Sequence, residues 1–342
     1  MQFESSWYRA LETPWLLLEA WRPRYIFFSA MGGSALTLDI LQDYVQLEDP
    51  IRPILDYHLP NYANSQDLVI CASYSGNTEE VLSIFSEALK KEIPILCIGH
   101  GGQLKDLAKK FDFPHINIPN CVQPRCALGY FLASLLAILY RLERCEDHSH
   151  ILSRLAAFLK DHQSEFEEEG KKLASFLINR VPIIHGPSSL AGTCRNWKIK
   201  FNENCKVPSF YNVFPELNHN EMVGWTQNII PASMILLKSP LMDSRMQQRM
   251  NVFENILGEK IPIYPLKIKG QHPLEVIFAS LQIADFASYY LAQTYQVDPA
   301  AVPIVENFKK QLQAYTNFSL DFPEAPAKSK NSMGKGFNKK VS

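Results

Sequence analysis

Ser73-Tyr74-Ser75-Gly76-Asn77-Thr78-Glu79-Glu80 stands between an unbroken apolar run, Leu68 to Ala72, and a stretch of helical periodicity. The run predicts a buried strand, and the helix is predicted to begin near Thr78. Three serine or threonine hydroxyls lie in this segment, and Gly76 permits a backbone angle that other residues rarely adopt. Amide groups at a helix N-terminus bind anions, and the helix dipole favours negative charge there. The segment therefore predicts a phosphate-binding loop in an α/β protein.

The spacing within this loop narrows the kind of phosphate that it would bind. The loop lacks the lysine of a Walker A motif and the G-x-G-x-x-G spacing of a dinucleotide-binding turn. We expect it to hold a terminal monophosphate through the hydroxyls of Ser73, Ser75 and Thr78. The alternative is a plain strand-to-helix turn in which Asn77 or Thr78 is the N-cap.

Further apolar runs extend the fold beyond this loop and predict strands at 25–29, 93–98, 114–118, 181–185, 229–237 and 261–266. Most of these runs do not alternate, which is typical of parallel strands covered by helices on both faces. Longer helical patterns separate them, as in βαβ units. The fold is therefore predicted to be α/β, with doubly wound parallel sheets and helices on both faces.

The second half of the chain loosely repeats the first. Strand 25–29 runs into Met31-Gly32-Gly33-Ser34-Ala35, and strand 181–185 runs into Gly186-Pro187-Ser188-Ser189. Glycine turns at 101–102 and at 270 also follow predicted strands. A repeat of this length, in a chain of 342 residues, predicts two domains in tandem, at 1–150 and 151–320.

The hydroxyl-rich loop belongs to the first copy alone. At the corresponding position the second copy has Lys238-Ser239-Pro240-Leu241-Met242. One phosphate site per chain is therefore predicted. The lysine-rich, weakly apolar segment 321–342 is predicted to be a disordered tail.

Charge and cysteine content exclude several classes of function. The 34 basic and 35 acidic residues leave a net charge of -1, so no overall field favours nucleic acid or an acidic membrane surface. The seven cysteines show neither a C-x-x-C pair nor zinc-ligand spacing. Their scatter is typical of free thiols in a reducing compartment. Because there is no signal-peptide pattern and no apolar run near the ~20 residues of a membrane span, a cytoplasmic protein is expected.

Several ordered motifs make the chain resemble a known family. The glycine turn at Met31 and the loop at Ser73 look like the sugar isomerase (SIS) domain superfamily, in which Gly33 and Ser34 would contact the substrate. The stretch from about Tyr25 to Leu312 resembles the bifunctional phosphoglucose/phosphomannose isomerase family. The segments that carry this second resemblance are Gln123-Pro124-Arg125-Cys126-Ala127-Leu128-Gly129-Tyr130, Asn202-Glu203-Asn204-Cys205-Lys206, Pro215-Glu216-Leu217-Asn218-His219-Asn220-Glu221, and Asp298-Pro299 with Lys309.

The resemblance implies a role for four residues in aldose-ketose isomerisation, which needs a base, a ring-opening group and positive charge over an enediolate. Glu203 would carry a proton between C1 and C2. His219 would open the sugar ring, reaching the site from the neighbouring subunit of a homodimer. Arg125 would stabilise the enediolate, and Lys309 would be a further cation.

Three of these residues also have ordinary structural interpretations. Glu203 has Lys200 and Lys206 nearby in sequence, as a surface glutamate often does. Arg125 follows a proline, as in many surface turns, and Lys309 is compatible with the solvent face of an amphipathic helix.

His219 is one of nine histidines, and a lone histidine is more often structural than catalytic. The motif around it supports the functional interpretation. Glu216 and Glu221 are close enough in sequence to orient His219, or to replace Glu203 as the base.

The expected function is the interconversion of glucose 6-phosphate, and of mannose 6-phosphate, with fructose 6-phosphate. Proton transfer would pass through a cis-enediolate without metal or cofactor. The alternatives are a non-catalytic SIS-type sensor of sugar phosphates and an isomerase of another sugar phosphate. The family often has a threonine after the Asp-Pro pair, where this chain has Ala300 and Ala301, so the preference between the two epimers is left open.

Overall fold

The computed structural model describes residues 2–14, 21–227, 229–313, 320 and 322. These residues form two compact units. The first contains the described residues up to 38, residues 47–152, Leu320 and Phe322. The second contains residues 39–46 and 153–313. The predicted domain boundary at 150 is close to the passage from the first unit to the second at Leu152, and it stays a prediction.

The first unit is built on a parallel sheet of five strands in the order β2-β1-β3-β4-β5. Its elements in chain order are α1 (Gln2–Glu12), β1 (Ile26–Ala30), α2 (Gly32–Tyr44), β2 (Arg52–Ile54), β3 (Leu68–Ala72), α3 (Glu79–Lys90), β4 (Ile95–Gly99), α4 (Gly102–Phe111), β5 (His115–Asn117) and α5 (Leu128–Arg141). The end of α2, from Asp39, clusters with the second unit.

The second unit is built on a parallel sheet of four strands in the order β7-β6-β8-β9. Its elements are α6 (Ser149–Asp161), α7 (Gln163–Phe176), β6 (Val181–Pro187), α8 (Ala191–Lys200), β7 (Phe210–Phe214), α9 (Glu221–Gly224), β8 (Ala232–Lys238), α10 (Ser244–Leu257), β9 (Ile263–Lys267), α11 (Pro273–Thr294) and α12 (Pro303–Gln313). The first residues of α6 belong to the first unit.

The two sheets share one strand order over four strands, with β6, β7, β8 and β9 in the places of β1, β2, β3 and β4. The parallel α/β architecture predicted from the apolar runs is confirmed. All residues of β1, β3 and β4 are buried, because helices cover both faces of a sheet of this kind.

Two strands, β2 and β7, were not predicted, and in this respect the sequence-based assignment was incomplete. Both are edge strands. β2 has three residues with Pro53 in the middle, and a proline argues against a strand unless the strand lies at an edge. β7 exposes Phe210 and Tyr211 at one end, so it lacks the buried apolar run that identifies a central strand.

Each unit has its own apolar core. In the first, α3 packs Val81, Ile84 and Phe85 against the sheet, at the i, i+3, i+4 spacing of one helix face. In the second, Phe214 and Phe253 meet edge to face with ring centroids 5.0 Å apart. Fully burying one such ring stabilises the fold by about 1.5 to 3 kcal/mol.

Other features of the described residues concern charge, thiols, helix length and the C-terminus. The charged run 165–172 lies on α7, where Tyr264 donates a hydrogen bond to Glu169 and Glu165 pairs with Lys269. All seven cysteines are free thiols. No helix in the described part of the chain is long and apolar enough to cross a membrane. The predicted tail at 321–342 falls outside the described residues, apart from Phe322, which packs against the core of the first unit.

Candidate active site

The predicted phosphate loop lies where the strand order of the first sheet changes direction. The chain moves from β1 to β2 on one side and then to β3 on the other. Ala30, the last residue of β1, pairs with Ala72, the last residue of β3. The turn into α2 and the loop into α3 therefore leave the sheet side by side. Ligands of open α/β sheets bind in this crevice, outside the carboxyl ends of the strands.

Hydrogen bonds within the loop order its hydroxyl groups. Ser73 Oγ accepts the N–H of Gly76 at 3.0 Å and lies 2.7 Å from Thr78 Oγ1. Ser75 Oγ accepts the N–H of Asn77 at 3.2 Å, and its side chain is exposed. Because a hydroxyl retains further donor and acceptor capacity after one such bond, Ser75 and Thr78 are suited to contact an anion at the loop surface.

Gly76 is required by a close approach between two loops. Its φ is 69°, and a Cβ on it would lie 1.7 Å from the carbonyl oxygen of Gly101. A Cβ on Gly102, whose φ is 68°, would lie 2.2 Å from the carbonyl oxygen of Ser75. Asn77 Oδ1 accepts the N–H of Gln103 at 3.0 Å. The loop after β4 therefore packs against the phosphate loop and fixes its backbone.

The N-terminus of α3 differs from its counterpart in the second unit. The helix begins where it was predicted to begin, and Thr78 is its N-cap residue, which the alternative interpretation allowed. The side chain of Thr78 does not cap the helix, since its hydroxyl lies against Ser73. In α10, the corresponding helix, Asp243 is the N-cap and its carboxylate accepts the N–H of Met246 at 2.9 Å. A carboxylate of the chain itself thus occupies the anion position of α10, whereas in α3 this position suits a ligand.

The glycine turn after β1 joins the same crevice. Ser34 is buried, and its Oγ accepts the N–H of Tyr74 at 3.3 Å. A Cβ on Gly33 would lie 3.2 Å from both the N and the Cα of Arg125, so the backbone of Arg125 packs directly on the turn. Gly33, Ser34 and Arg125 are therefore brought together with the phosphate loop.

Arg125 lies in a 3-10 turn, Pro124–Ala127, which leads into α5. Pro124 is the first residue of this turn, where its fixed φ and missing N–H cost nothing. Arg125 itself is half-buried. A guanidinium is planar and permanently charged, so it suits an anionic oxygen near the phosphate loop.

Glu203 lies on a single π-helical turn, Phe201–Cys205, that continues α8. Two neighbours anchor this turn to α11: Asn204 Nδ2 donates to Ser288 Oγ at 2.8 Å, and Cys205 Sγ donates to the carbonyl of Ser288 at 3.0 Å. Glu203 is half-buried. Single π-helical turns within α-helices occur frequently at functional sites.

His219 ends a short 3-10 turn, Glu216–His219, after β7, and its ring is exposed. Two residues further on, the side chain of Glu221 turns back to the sheet. It accepts hydrogen bonds from His185 Nε2 at 2.7 Å, Asn212 Nδ2 at 2.7 Å and Trp225 Nε1 at 3.3 Å. Glu221 is therefore engaged with the buried His185, and it positions the segment that carries His219.

The electrostatics of Glu221 follow from these contacts. Burial by itself would raise its pKa, but the hydrogen bonds from His185, Asn212 and Trp225 outweigh burial and hold the pKa at about 2. The carboxylate is thus ionised at neutral pH and can only accept, so Nε2 of His185 carries the proton. A carboxylate held in this form is poorly suited to remove protons from a substrate near neutral pH.

Lys309 lies on α12 with its side chain exposed. It belongs to the second unit, as do Glu203 and His219. Among the described residues, no group of three histidine, cysteine, aspartate or glutamate side chains is placed to hold a metal ion.

A cavity of about 310 Å³ lies within the second unit, lined partly by Asp39, Asp43 and Arg195. Arg195 donates to Asp39 at 2.7 Å. Asp43 accepts the N–H groups of Gly192 and Thr193 at the start of α8. Burial raises the pKa of Asp43 to about 7, against the hydrogen bonds from Gly192 and Thr193. These charged groups are satisfied by the protein, and we do not place the substrate here.

Two contributors to the first unit's site were not assigned a role from the sequence. The glycine turn at 101–102 was recognised as a repeat feature, but its contact with the phosphate loop joins residues 25 positions apart. Tyr74 lies inside the motif that decided the fold, yet a tyrosine between two serines carries no local signal of what its ring contacts.

Comparisons with known proteins match this chain to one family model and to several relatives. The family model for the bacterial phospho-glucose isomerase C-terminal SIS domain matches residues 166–312. The bifunctional phosphoglucose/phosphomannose isomerase of Caldicellulosiruptor bescii is 34% identical over 301 residues, which cover 84% of this chain and 89% of that protein. The enzyme of the same name from Aquifex aeolicus is 30% identical over 297 residues, which cover 85% and 91%.

A solved structure supports the fold independently of close sequence similarity. The crystal structure of a hypothetical protein from Thermus thermophilus superimposes with a TM-score of 0.74 at 15% identity. The superposition covers 92% of this chain and 88% of that one.

Proposed function

This chain belongs to the bifunctional phosphoglucose/phosphomannose isomerase family, and on that premise we propose that it interconverts glucose 6-phosphate and mannose 6-phosphate with fructose 6-phosphate. The observation that carries the proposal is the hydroxyl-lined loop at the strand-order reversal, with Arg125 packed on the adjacent glycine turn. This arrangement offers amide and hydroxyl donors to an anion and places the backbone of a permanently charged residue beside the adjacent turn.

The phosphate of the substrate binds at the loop between β3 and α3. The N-terminus of α3 and the hydroxyls of Ser73, Ser75 and Thr78 form the anion site, and Ser34 and Gly33 form its other side. Because binding energy from the phosphate end is available to orient the rest of the molecule, the loop supports chemistry at C1 and C2.

Glu203 is the base that moves a proton between C1 and C2. In the aldose-to-ketose direction, removal of the C2 proton produces a cis-enediolate, and return of this proton to C1, together with transfer of the hydroxyl proton from O2 to O1, completes the isomerisation. The π-helical turn and its two anchors on α11 support this role, because a base must be held in a fixed orientation to act on one face of the substrate.

Arg125 stabilises the negative oxygen of the enediolate, and Lys309 adds a second positive charge. His219 opens the sugar ring by exchanging a proton with the ring oxygen, since an imidazole can both donate and accept a proton. The steps proposed for these residues require neither a metal ion nor a cofactor.

The proposal includes a homodimer in which His219 reaches the site of the neighbouring subunit. The exposed ring of His219 supports this, as do Phe210 and Val223, large apolar residues exposed near it in sequence. It also includes two SIS domains in tandem, supported by the common strand order of the two sheets, and a cytoplasmic setting, supported by seven free thiols.

A coupled assay of the purified protein with fructose 6-phosphate tests the proposal. Glucose 6-phosphate and mannose 6-phosphate are measured separately, and both are expected as products. Binding of fructose 6-phosphate without turnover would instead indicate a sensor. Turnover of a different sugar phosphate alone would indicate an isomerase of another specificity.

A further inference from the structure

Tyr74 occupies the centre of the predicted phosphate loop, and its side chain contacts His100 and the segment that leads to Arg125. Its backbone belongs to the site, because its N–H donates to Ser34 Oγ at 3.3 Å. Its carbonyl accepts the N–H of His100 at 3.0 Å. Tyr74 is therefore fixed by both the glycine turn after β1 and the loop after β4.

The ring of Tyr74 is held in one orientation by stacking. It lies on the imidazole of His100, with ring centroids 5.5 Å apart and an interplanar angle of 13°. The imidazole is fixed in turn, because its Nδ1 lies 2.9 Å from the carbonyl oxygen of Ile118. Stacking of this kind fixes the ring of a tyrosine and therefore the position of its hydroxyl group.

The hydroxyl of Tyr74 bonds to the segment that leads to Arg125. It accepts the N–H of Cys121 at 2.6 Å. Its single proton has two acceptors at 3.2 Å, Asn120 Oδ1 and the carbonyl of Cys121. One phenol group thus fixes the backbone four residues before Arg125.

The neighbours of Tyr74's contacts include both exposed and hydrogen-bonded residues: the N–H of Cys126 donates to the carbonyl of Gln123 at 2.9 Å. Val122 is 86% exposed, so apolar packing does not hold it. On the far side of Arg125, Gln2 Nε2 donates to the carbonyl of Cys126 at 2.9 Å. The backbone of Arg125 also rests on Gly33. Tyr74 therefore holds the backbone that leads to Arg125, and Tyr74 belongs to the phosphate loop itself.

We propose that Tyr74 is a positioning residue that sets the place of Arg125 relative to the bound phosphate. It acts through its hydroxyl and does not touch the substrate. The inference rests on the proposed function and adds a residue to the same site. In this arrangement the loop that binds the phosphate also fixes the backbone that carries Arg125, the residue that stabilises the enediolate.

Replacement of Tyr74 by phenylalanine tests the role, because it removes the hydroxyl and keeps the stacked ring. We expect kcat with fructose 6-phosphate to fall about tenfold, the scale of losing a hydrogen bond that leaves an N–H unpaired. KM and the inhibition constant for inorganic phosphate should change less than about twofold, since the phosphate loop keeps its own bonds. An unchanged kcat, or an equal weakening of phosphate inhibition, would contradict the proposal.

A matched control is Tyr295→Phe. The hydroxyl of Tyr295 also accepts a backbone N–H, that of Asn179 at 2.7 Å, but it belongs to the second unit and to no candidate site residue. Wild-type kcat is expected for this variant. A tenfold loss there would show that removing any such hydroxyl lowers activity, and the specific role of Tyr74 would fall.

A double-mutant cycle distinguishes positioning from general damage. In an Arg125→Gln background, Tyr74→Phe should cost no further kcat, because Tyr74 acts only through Arg125. Additive losses would overturn the proposal. If Tyr74→Phe does not fold, His100→Leu, which removes the stacking partner, takes its place with the same expected result and the same contradicting result.

The outcome for the wild-type protein separates this inference from the proposed function. Absence of isomerase activity in the wild type ends the proposed function, and the role of Tyr74 with it. An active wild type with a fully active Tyr74→Phe variant ends only the role of Tyr74.

Discussion

At the scale of single residues, the difference between a recognisable motif and a working site lies in what each side chain contacts. Thr78 occupies the N-cap position without capping, because its hydroxyl lies against Ser73. Glu221, a rival to Glu203 by sequence position, is held ionised by its three donors. We therefore keep Glu203 as the proposed base.

Replacement of Glu203 by glutamine should lower kcat about a thousandfold, the middle of the range for loss of a general base. KM for fructose 6-phosphate and inhibition by inorganic phosphate should stay within about twofold of the wild-type values, because the phosphate loop is untouched. Steady-state kinetics measure both.

Glu216→Gln is the matched control, since Glu216 is exposed and bonds only to Asn220 among the contacts described. A comparable loss for Glu216→Gln, or near-normal kcat for Glu203→Gln, would show that the base is misassigned.

At the scale of elements, the segment from β7 to α9 depends on one carboxylate for its attachment to the sheet. Glu221 joins His185 of β6, Asn212 of β7 and Trp225 after α9. His185 itself is fully buried between Phe214 and Phe253. The turn carrying His219 is thus tied to the core of the second unit through a polar network.

The lowered pKa of Glu221 makes a prediction about stability and pH. Its pKa falls from 4.5 to about 2 on folding, so the ionised form stabilises the fold above pH 4.5, and this contribution is lost as the pH falls towards 2. Glu221→Gln should lower the free energy of unfolding by roughly 2 to 3 kcal/mol at pH 7. The difference from wild type should shrink between pH 4.5 and pH 2.5.

Urea denaturation at several pH values measures this difference. Glu216→Gln, which changes an exposed carboxylate on the same segment, should leave the stability within about 0.5 kcal/mol of wild type at every pH. A Glu221→Gln penalty that does not vary with pH would mean that packing, not charge, is what the substitution removes.

At the scale of the whole molecule, the two units share one strand order but differ at the helix that follows the third strand of each unit. In the first, the helix after the third strand begins at a hydroxyl-rich loop suited to phosphate. In the second, the matching helix is capped by Asp243. Glu203, His219 and Lys309, which are proposed for catalysis, belong to the second unit. The difference between the two helix N-termini supports the prediction of one phosphate site per chain.

The proposed homodimer predicts complementation between two inactive variants. Glu203→Gln and His219→Ala should each be nearly inactive alone. If His219 serves the neighbouring subunit, a mixed dimer of the two variants contains one site with both residues intact. Random exchange should therefore restore about a quarter of the wild-type activity, as the symmetry of a two-fold dimer requires.

Mixing after denaturation and refolding, or co-expression with two affinity tags, provides the mixed dimers. Mixing Glu203→Gln with wild type is the control for refolding yield. Absence of any recovery, with mixed dimers verified by the tags, would place His219 and Glu203 of one chain in the same site.

Local sequence patterns were sufficient for the central features of the fold. Unbroken apolar runs identified the central strands β1, β3, β4, β6 and β8, because central parallel strands must be apolar on both faces. The edge strands β5 and β9 were also predicted, whereas the edge strands β2 and β7 escaped detection, because β2 is interrupted by Pro53 and β7 exposes Phe210 and Tyr211. The loop from Ser73 to Thr78 was predicted to bind phosphate because a strand, a glycine and hydroxyls follow one another directly.

The sequence by itself thus determined a parallel α/β architecture, one phosphate loop and a set of candidate catalytic residues. Only the tertiary structure decided that Gly33 supports the backbone of Arg125, that Tyr74 holds the approach to it, and that Glu221 is engaged with His185. These contacts join residues 36 to 92 positions apart. Local periodicity shows which residues of one segment face the solvent and which face the core. Contacts between distant residues depend instead on which strand lies beside which, and that order exists only in the assembled sheet.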